Sequence, residues 1–551
     1  MPISNIAILA MRPVAAVLGG LLLAASFPPI GASWLAPLAV ALITVSTVTA
    51  RRVRGGFGWG LLGGLTFFLV LLAWIDVLGV DAWLLLATYC ALWLGALGAA
   101  TRILRRLPAW PLWIAAAWVA QEALRDRVPY GGFPWGRLAF SQAQSPALGL
   151  ASILGAAGVS FAVAFAGALL AWVAIRCLPV RLRGATDLAQ PEANSAPTKP
   201  ATVATAALLA VGVWVCGAAI SRPTTGESVS GPATTTVALV QGSVPGSGLD
   251  AMSQRRAVLN NHVRETKVLA ADVRAGKVEA PQLVIWPENS TDIDPLSDSA
   301  AGAAISAAAN DIGVPILVGA VVNNPTVPGT LWNVGIVWNP QTGPSQYYVK
   351  RHPVPFGEYL PGRSLLSRFI SRFDRVPYDF AAGENPGVLQ VGPARLADVI
   401  CFEIAYDEVV RDAVLTGGRA ISVQTNNATY THSGPGGSAQ SEQQAAMSQV
   451  RAVEHGRSVL IAATSGVTAI INPAGEVVAQ APVLEASYLV DEIPLRDTIT
   501  IADRIGAWPE WLLFLAVLVG VSLSTVRYRR SRRIQGEPTD DSDDDSSPAE
   551  R

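Results

Sequence analysis

Eight apolar runs, each long enough to cross a bilayer, govern what this chain can fold into. A crossing helix needs roughly 17 to 25 residues. Such runs stand at about 13–30, 33–50, 57–75, 82–102, 108–124, 146–176, 203–220 and 509–526. Hydrocarbon offers no partner to a backbone N–H or C=O, so each run is predicted as a helix that satisfies its own backbone. A cleaved leader is the alternative for the first run, but its charged region holds only Arg12 and a second run follows almost at once. The whole chain of 551 residues is 51% hydrophobic and only 15% charged, too apolar for an ordinary soluble protein.

The loops orient the bundle. Basic clusters stand at "RRVRGG" (51–56), "TRILRR" (101–106), "RCLPVRLRG" (176–184) and "RYRRSRR" (527–533), on every second connection. Such clusters stay on the cytoplasmic side of the plasma membrane. Both termini are therefore expected inside, and the long segment from Ile220 to Trp508 outside. The stretch "DLAQPEANSAPTKPA" (187–201) reads as a cytoplasmic linker, and the tail "EPTDDSDDDSSPAER" (537–551) as disordered. The expected division is thus 1–227 for about seven spans, 228–500 for an extracytoplasmic domain, 501–530 for a last span and 531–551 for the tail. A formal net charge of −1 gives no reason to invoke nucleic acid.

Within 230–497 the pattern changes. "TTTVALVQGSV" (234–244), "QLVIWPE" (282–288) and "VPILVGAVV" (314–322) read as strands, alternating with helical patterns at 255–275 and 303–313. That alternation predicts a layered α/β domain. In such domains reactive groups gather where strands end and loops expose them.

Three strand ends carry suitable groups. "VIWPENS" delivers Glu288, "YYVKRHPVPFGEYLP" (347–361) delivers Lys350 and Glu358, and "ADVICFEIAYDE" (397–408) delivers Cys401 followed by Glu403. An unperturbed thiol, with a pKa of about 8.5, is only a few per cent ionised at neutral pH and needs help to attack. A carboxylate can take its proton and a lysine can stabilise the charge that develops. Each residue alone has a plainer reading: a small buried cysteine, an ion pair between Glu288 and Lys350, solvated glutamates. The other three cysteines, Cys90, Cys177 and Cys216, lie in or beside apolar runs, so no disulfide framework is expected. Four scattered histidines form no ligand pattern, and no phosphate-binding or dinucleotide fingerprint occurs. No metal or cofactor is expected.

In this order and spacing, "WPE", "KRHPVPFGE" and "CFE" resemble the carbon-nitrogen hydrolase (nitrilase) superfamily. With membrane runs on both sides the chain resembles one family in it, the apolipoprotein N-acyltransferases, in an actinobacterial-like form. The likeness extends to "SFPPIGASWLAPLA" (26–39), "GFPWGRLAFSQ" (132–142), "ALVQGSVP" (238–245), "RAVEHGR" (451–457), "SGVTAIINPAGEV" (465–477) and "GAWPEW" (506–511). The resemblance implies an αββα sandwich carried outside the membrane on a bundle of about eight helices. It implies Glu288 as general base, Lys350 as the cation facing the oxyanion and Cys401 as nucleophile. Glu358 would orient Lys350 or the incoming amine, Glu403 would line the substrate pocket, and the Phe402 N–H would be a second oxyanion donor.

The activity so implied is transfer of an acyl chain from a membrane phospholipid, through a thioester on Cys401, to the N-terminal α-amine of an apolipoprotein's diacylglyceryl-cysteine. A tethered amidase hydrolysing a small amide is the competing reading, though one anchor would serve it. Some relatives are fused to a polyprenol-phosphate mannose synthase, which makes a separate synthase a conceivable partner. Two stretches depart from the family. "NNATYTHSG" (426–434) has Asn427 and Thr429 where many relatives have an acid and a tryptophan, and "QGSVPGSGLD" (241–250) lacks a Lys-Trp pair. The Gly-rich stretch 431–441 is expected to be a lid or a plain connector. The aromatic loop "RDRVPYGGFPWGRLAF" (125–140) is expected at the interface under the domain.

Overall fold

The computed structural model describes residues 3–177, 200–227, 231–245, 254–363, 378–434 and 436–534. The predicted tail 537–551 lies outside these residues, as does all but the end of the predicted linker.

Each apolar run coincides with a helix: Ile3–Ala25, Leu35–Val48, Val53–Leu71, Val80–Leu104, Trp110–Arg125, Ala151–Cys177, Pro200–Ala219 and Trp508–Ile534. Five helical stretches among the described residues are long and apolar enough to cross a membrane: 53–71, 80–104, 146–177, 201–219 and 508–531. The expectation of about eight full spans is met only to that extent. Leu35–Val48 has 14 residues and Trp110–Arg125 has 16. They rise only about 21 and 24 Å, against a hydrocarbon core of about 30 Å.

Lipid tails are as apolar as leucine, so close backbone packing has to replace the hydrophobic effect in holding such helices together. The Val53–Leu71 and Val80–Leu104 helices do this through small residues. A Cβ on Gly60 would lie 2.3 Å from the Leu94 carbonyl oxygen, and one on Gly98 would lie 2.3 Å from that of Gly56. Only glycine permits this approach.

Among the described residues twelve strands form the α/β part: β1 Thr234–Gln241, β2 Leu283–Ile285, β3 Ile316–Asn323, β4 Leu331–Asn339, β5 Gly343–Val349, β6 Val388–Val391, β7 Ala394–Ile400, β8 Ala420–Thr425, β9 Val459–Ala463, β10 Ala469–Ile471, β11 Val477–Gln480 and β12 Ser487–Pro494. They make two six-stranded sheets, in the orders β12-β1-β2-β3-β4-β5 and β11-β10-β9-β8-β7-β6. In each sheet the three central strands of the first half-motif run parallel, β1-β2-β3 and β7-β8-β9.

Strand periodicity sets the layers. Successive residues of β1 point to opposite faces: Val237 and Leu239 join Leu283, Ile285, Leu396 and Leu460 between the sheets. Ala238 and Val240 face outward against Leu259 of the Arg255–Arg274 helix and Ile305 of the Ser299–Ile312 helix. On the second sheet the outer layer is the Asp407–Leu415 and Ala439–His455 helices. The resulting order is helix, sheet, sheet, helix, as the resemblance implies. The Ala439–His455 helix is also roofed by the membrane half, so one apolar core runs without a break from Val399 and Val450 to Phe67, Trp135 and Leu23.

Candidate active site

Three loops meet where the two sheets end side by side. Cys401 follows β7 directly with φ +57°, an uncommon conformation for a residue with a Cβ. It opens the 3-10 turn Cys401–Ala405. That sharp turn lifts the thiol out of the strand. Asn289, after Glu288, also has a positive φ of 54°. Lys350 follows β5, and its own N–H is held by the Asn333 carbonyl at 2.9 Å.

The side chains converge. Lys350 Nζ donates to Glu288 Oε1 at 3.0 Å and to Glu358 Oε1 at 3.1 Å. Glu288 Oε2 accepts from the Asn426 N–H at 2.8 Å, and the Glu288 charge acts on the Cys401 thiol. Thr425 Oγ1 donates to Cys401 Sγ at 3.3 Å. Lys350 and Glu288 are almost wholly buried, whereas Cys401 keeps some exposure. Glu358 Oε2 accepts from the Val354 N–H at 2.7 Å, which folds the 350–358 loop back upon the lysine.

Burial pushes the Cys401 thiol up to about 12, with Glu288 adding to the effect and Lys350 opposing it. The resting group is therefore a thiol beside a base. For Lys350 burial works against the charge, but the carboxylates of Glu288 and Glu358 outweigh it and hold the ammonium well above its ordinary range. It stays a cation at any physiological pH.

Glu403, assigned to the pocket lining by resemblance, has no exposed surface. Tyr348 Oη donates to both of its oxygens at 2.9 Å, while the N–H groups of Arg351, His352 and Ile400 reach it at 2.7, 3.1 and 2.8 Å. Its carboxylate pins the lysine loop to the 401–405 turn. It lines no open pocket in this structure, because its carboxylate points back into the strand ends.

Sequence reasoning missed several partners. Asn333 on β4 donates from Nδ2 to Glu288 Oε1 and to Glu358 Oε1, each at 2.8 Å. Gln444 Nε2 donates to the Cys401 carbonyl at 2.9 Å, and Asn427 Nδ2 donates to Gln444 Oε1 at 2.9 Å and Gln440 Oε1 at 2.6 Å. Asn427, a departure from the family pattern, is thus a fully buried brace for the Ala439–His455 helix. The one available signal was that "VQTNN" also ends a strand, β8, parallel to the strand of the cysteine. The Gly-rich stretch 431–441 is described apart from residue 435, and its last residues belong to that helix.

The membrane half reaches the site through aromatic rings. Phe402 stacks on Phe133 at 5.6 Å and on Trp135 at 5.9 Å between centroids. Trp74 meets Tyr430 edge-on at 5.0 Å. Within the aromatic loop 125–140, Tyr130 is 62% exposed but Trp135 only 1%. Part of the loop therefore packs beneath the 401–405 turn instead of facing lipid. Among the described residues no group of three or more His, Cys, Asp or Glu converges as metal ligands would.

Comparison with known proteins adds the following. Residues 19–169 match the apolipoprotein N-acyltransferase N-terminal domain, and residues 236–503 match the carbon-nitrogen hydrolase family. An apolipoprotein N-acyltransferase of Mycolicibacterium smegmatis is 40% identical over 517 residues, covering 91% of this chain and 83% of that protein. One from Pseudomonas syringae pv. tomato is 30% identical over 420 residues, covering 76% and 75%. Among solved structures, an amidase from Nesterenkonia sp. is similar at 20% identity, over 49% of this chain and 94% of that one, with a TM-score of 0.34.

Proposed function

The chain belongs to the apolipoprotein N-acyltransferase family, and on that premise we propose that it moves an acyl chain from a membrane phospholipid to the N-terminal α-amine of lipid-modified apolipoproteins, with Glu288, Lys350 and Cys401 as its catalytic residues. Cys401 Sγ attacks the ester carbonyl while Glu288 takes the thiol proton. Lys350 Nζ and the Phe402 N–H face the oxyanion. The C–O bond breaks, Glu288 hands the proton to the departing lysophospholipid hydroxyl, and an acyl thioester remains. In the second half the α-amine attacks the thioester. Glu288 takes a proton from the nitrogen and returns it to the leaving sulfur, which restores the starting state. Glu358 and Asn333 hold the base and the cation in register.

The observation that carries this reading is the convergence of a neutral thiol, a buried carboxylate and a permanently charged lysine from three strand ends, directly against aromatic residues of the membrane half. Each buried CH₂ of an acyl chain is worth about 0.8 kcal/mol in lipid, so a soluble site would have to drag its donor into water. A site stacked on the bundle avoids that cost. The basic loops support an extracytoplasmic catalytic domain with both termini in the cytoplasm, in the plasma membrane. The reading requires no separate polyprenol-phosphate mannose synthase.

The test is incubation of the purified protein with phosphatidylethanolamine labelled in its acyl chain. A hydroxylamine-sensitive label should appear on the protein, vanish in Cys401→Ala, and pass to a diacylglyceryl-cysteine peptide. No label on the native protein would sink the acyl-enzyme. Label that water discharges and the peptide does not would make the protein a hydrolase.

A further inference from the structure

The segment "RAVEHGR" (451–457) is absorbed by none of the chemistry above, yet Arg451 has no exposed surface. Its guanidinium grips the far end of the nucleophile turn: Nε donates to the Ile404 carbonyl at 3.0 Å and Nη2 to the Ala405 carbonyl at 2.8 Å. Nη2 also reaches Asp407 Oδ1 at 2.5 Å, and Nη1 pairs with Glu454 Oε2. A planar fork with five donors can hold four acceptors at once, which an ammonium cannot.

Glu454 turns toward the membrane. The Ala151–Cys177 helix is broken at Gly155, where φ is 66° and ψ −174°. The break leaves the Ala156 N–H without its helical acceptor, and Glu454 Oε1 takes it at 3.0 Å. The contact is close enough that a Cβ on Gly155 would lie 2.7 Å from the same oxygen. On the other side Asp407 Oδ1 accepts from Arg137 Nη1 of the aromatic loop at 2.7 Å, and Arg137 Nη2 donates to Glu510 Oε1 of the Trp508–Ile534 helix at 3.0 Å.

A continuous buried chain of charged hydrogen bonds therefore runs from a broken membrane helix to the turn that presents Cys401. We propose that Arg451 and Glu454 are positioning residues for acyl transfer: Glu454 reads the place of the helix break at Gly155, and Arg451 transmits it to the carbonyls of the 401–405 turn. The thiol and the Phe402 N–H are then placed relative to the lipid-facing bundle as well as to their own sheet. This inference rests on the proposed acyl-enzyme. It adds that the membrane half takes part in setting the nucleophile.

Four single variants of the full chain in phospholipid nanodiscs test it, Arg451→Lys, Glu454→Gln, Glu454→Ala and Gly155→Ala, together with the double variant Gly155→Ala/Glu454→Ala. Each is followed by thioester formation from labelled phosphatidylethanolamine, per folded molecule. Glu454→Gln keeps an oxygen for the Ala156 N–H but loses the pairing with Arg451. Misplacement of a reacting group by about 1 Å costs on the order of a hundredfold. Arg451→Lys and Glu454→Gln should each lower kcat for thioester formation by about ten- to a hundredfold, with KM for phospholipid unchanged within about twofold. Gly155→Ala brings a backbone strain of its own at φ 66°, but it should slow the reaction less once Glu454 is alanine, because the oxygen it strikes is gone, so the two effects combine to less than their sum.

A role confined to folding predicts a different outcome, in which the rate per folded molecule stays at the native value in every variant. That outcome overturns the proposal. Should Arg451→Lys fail to fold, Glu454→Gln and the Gly155 cycle decide alone. Absence of thioester on the native protein is a separate failure, that of the acyl-enzyme itself.

Discussion

Asn333 offers the most direct test of how the site is held. Its amide nitrogen is a neutral donor shared by Glu288 and Glu358, at 2.8 Å to each, and its side chain is buried. Asn333→Ala removes both contacts and leaves the two carboxylates leaning on Lys350. A hydrogen bond to a charged acceptor contributes about 1.5 to 3 kcal/mol. Here one donor group serves two acceptors that each keep Lys350, so the loss in the transition state should be near the lower end, about 2 kcal/mol, or roughly thirtyfold in rate. Asn333→Asp keeps the shape and replaces the donor with a third carboxylate. At about 4 Å and an effective dielectric of 20, each like-charge contact costs about 4 kcal/mol, so this variant should fall below about a thousandth of the native rate. The assay is single-turnover thioester formation in nanodiscs, read as hydroxylamine-labile label, with circular dichroism melting as the folding control. A folded Asn333→Ala protein within about threefold of the native rate would refute the reasoning, as would an Asn333→Asp protein faster than the alanine variant.

Two other outcomes follow from the same geometry. Glu403→Gln should lower stability, because one oxygen that now accepts from N–H and O–H groups becomes an NH₂ facing donors. A loss of about 2 to 4 kcal/mol is expected, seen as a lower denaturation midpoint, while a changed phospholipid KM at unaltered stability would restore it to the pocket lining. Because burial raises the Cys401 thiol to about 12, far above the ordinary value of about 8.5, alkylation by iodoacetamide should keep rising with pH beyond 10. Its folded-state pKa lies above the unfolded one, so the folded state holds the extra proton between about pH 9 and 12, and stability should fall as pH climbs through that window. An alkylation rate that levels off near pH 9 would contradict the burial.

Much of this was legible in the residues. The eight apolar runs each became a helix because hydrocarbon leaves a backbone no other way to satisfy itself. The strand ends at Ile285 and Ile400 were marked by apolar runs stopping at Pro287 and Cys401, that at Val349 only by the short "YYV" before Lys350, and the groups that follow them did meet. Less followed about span lengths. The run at 33–50 carries no charge, but the helix within it is Leu35–Val48. Hydropathy counts greasy residues, whereas a helix ends where its backbone turns.

What the sequence alone determined, then, is local and periodic: which segments bury in lipid, which alternate as strands, and which reactive side chains sit where strands stop. Only the tertiary structure decided who faces whom. Asn333 joins Glu288 from a position 45 residues away, Arg451 grips the 401–405 turn across 46 and 47 residues, and Glu454 caps a membrane helix 298 residues distant. Glu403, two residues from the thiol, turns away from the pocket because four donors surround it on the inner side. Periodicity fixes the face on which a side chain starts. Its partners depend on how two sheets and a helix bundle are set against one another, and that is a property of packed volumes and satisfied buried polar groups summed over the whole chain.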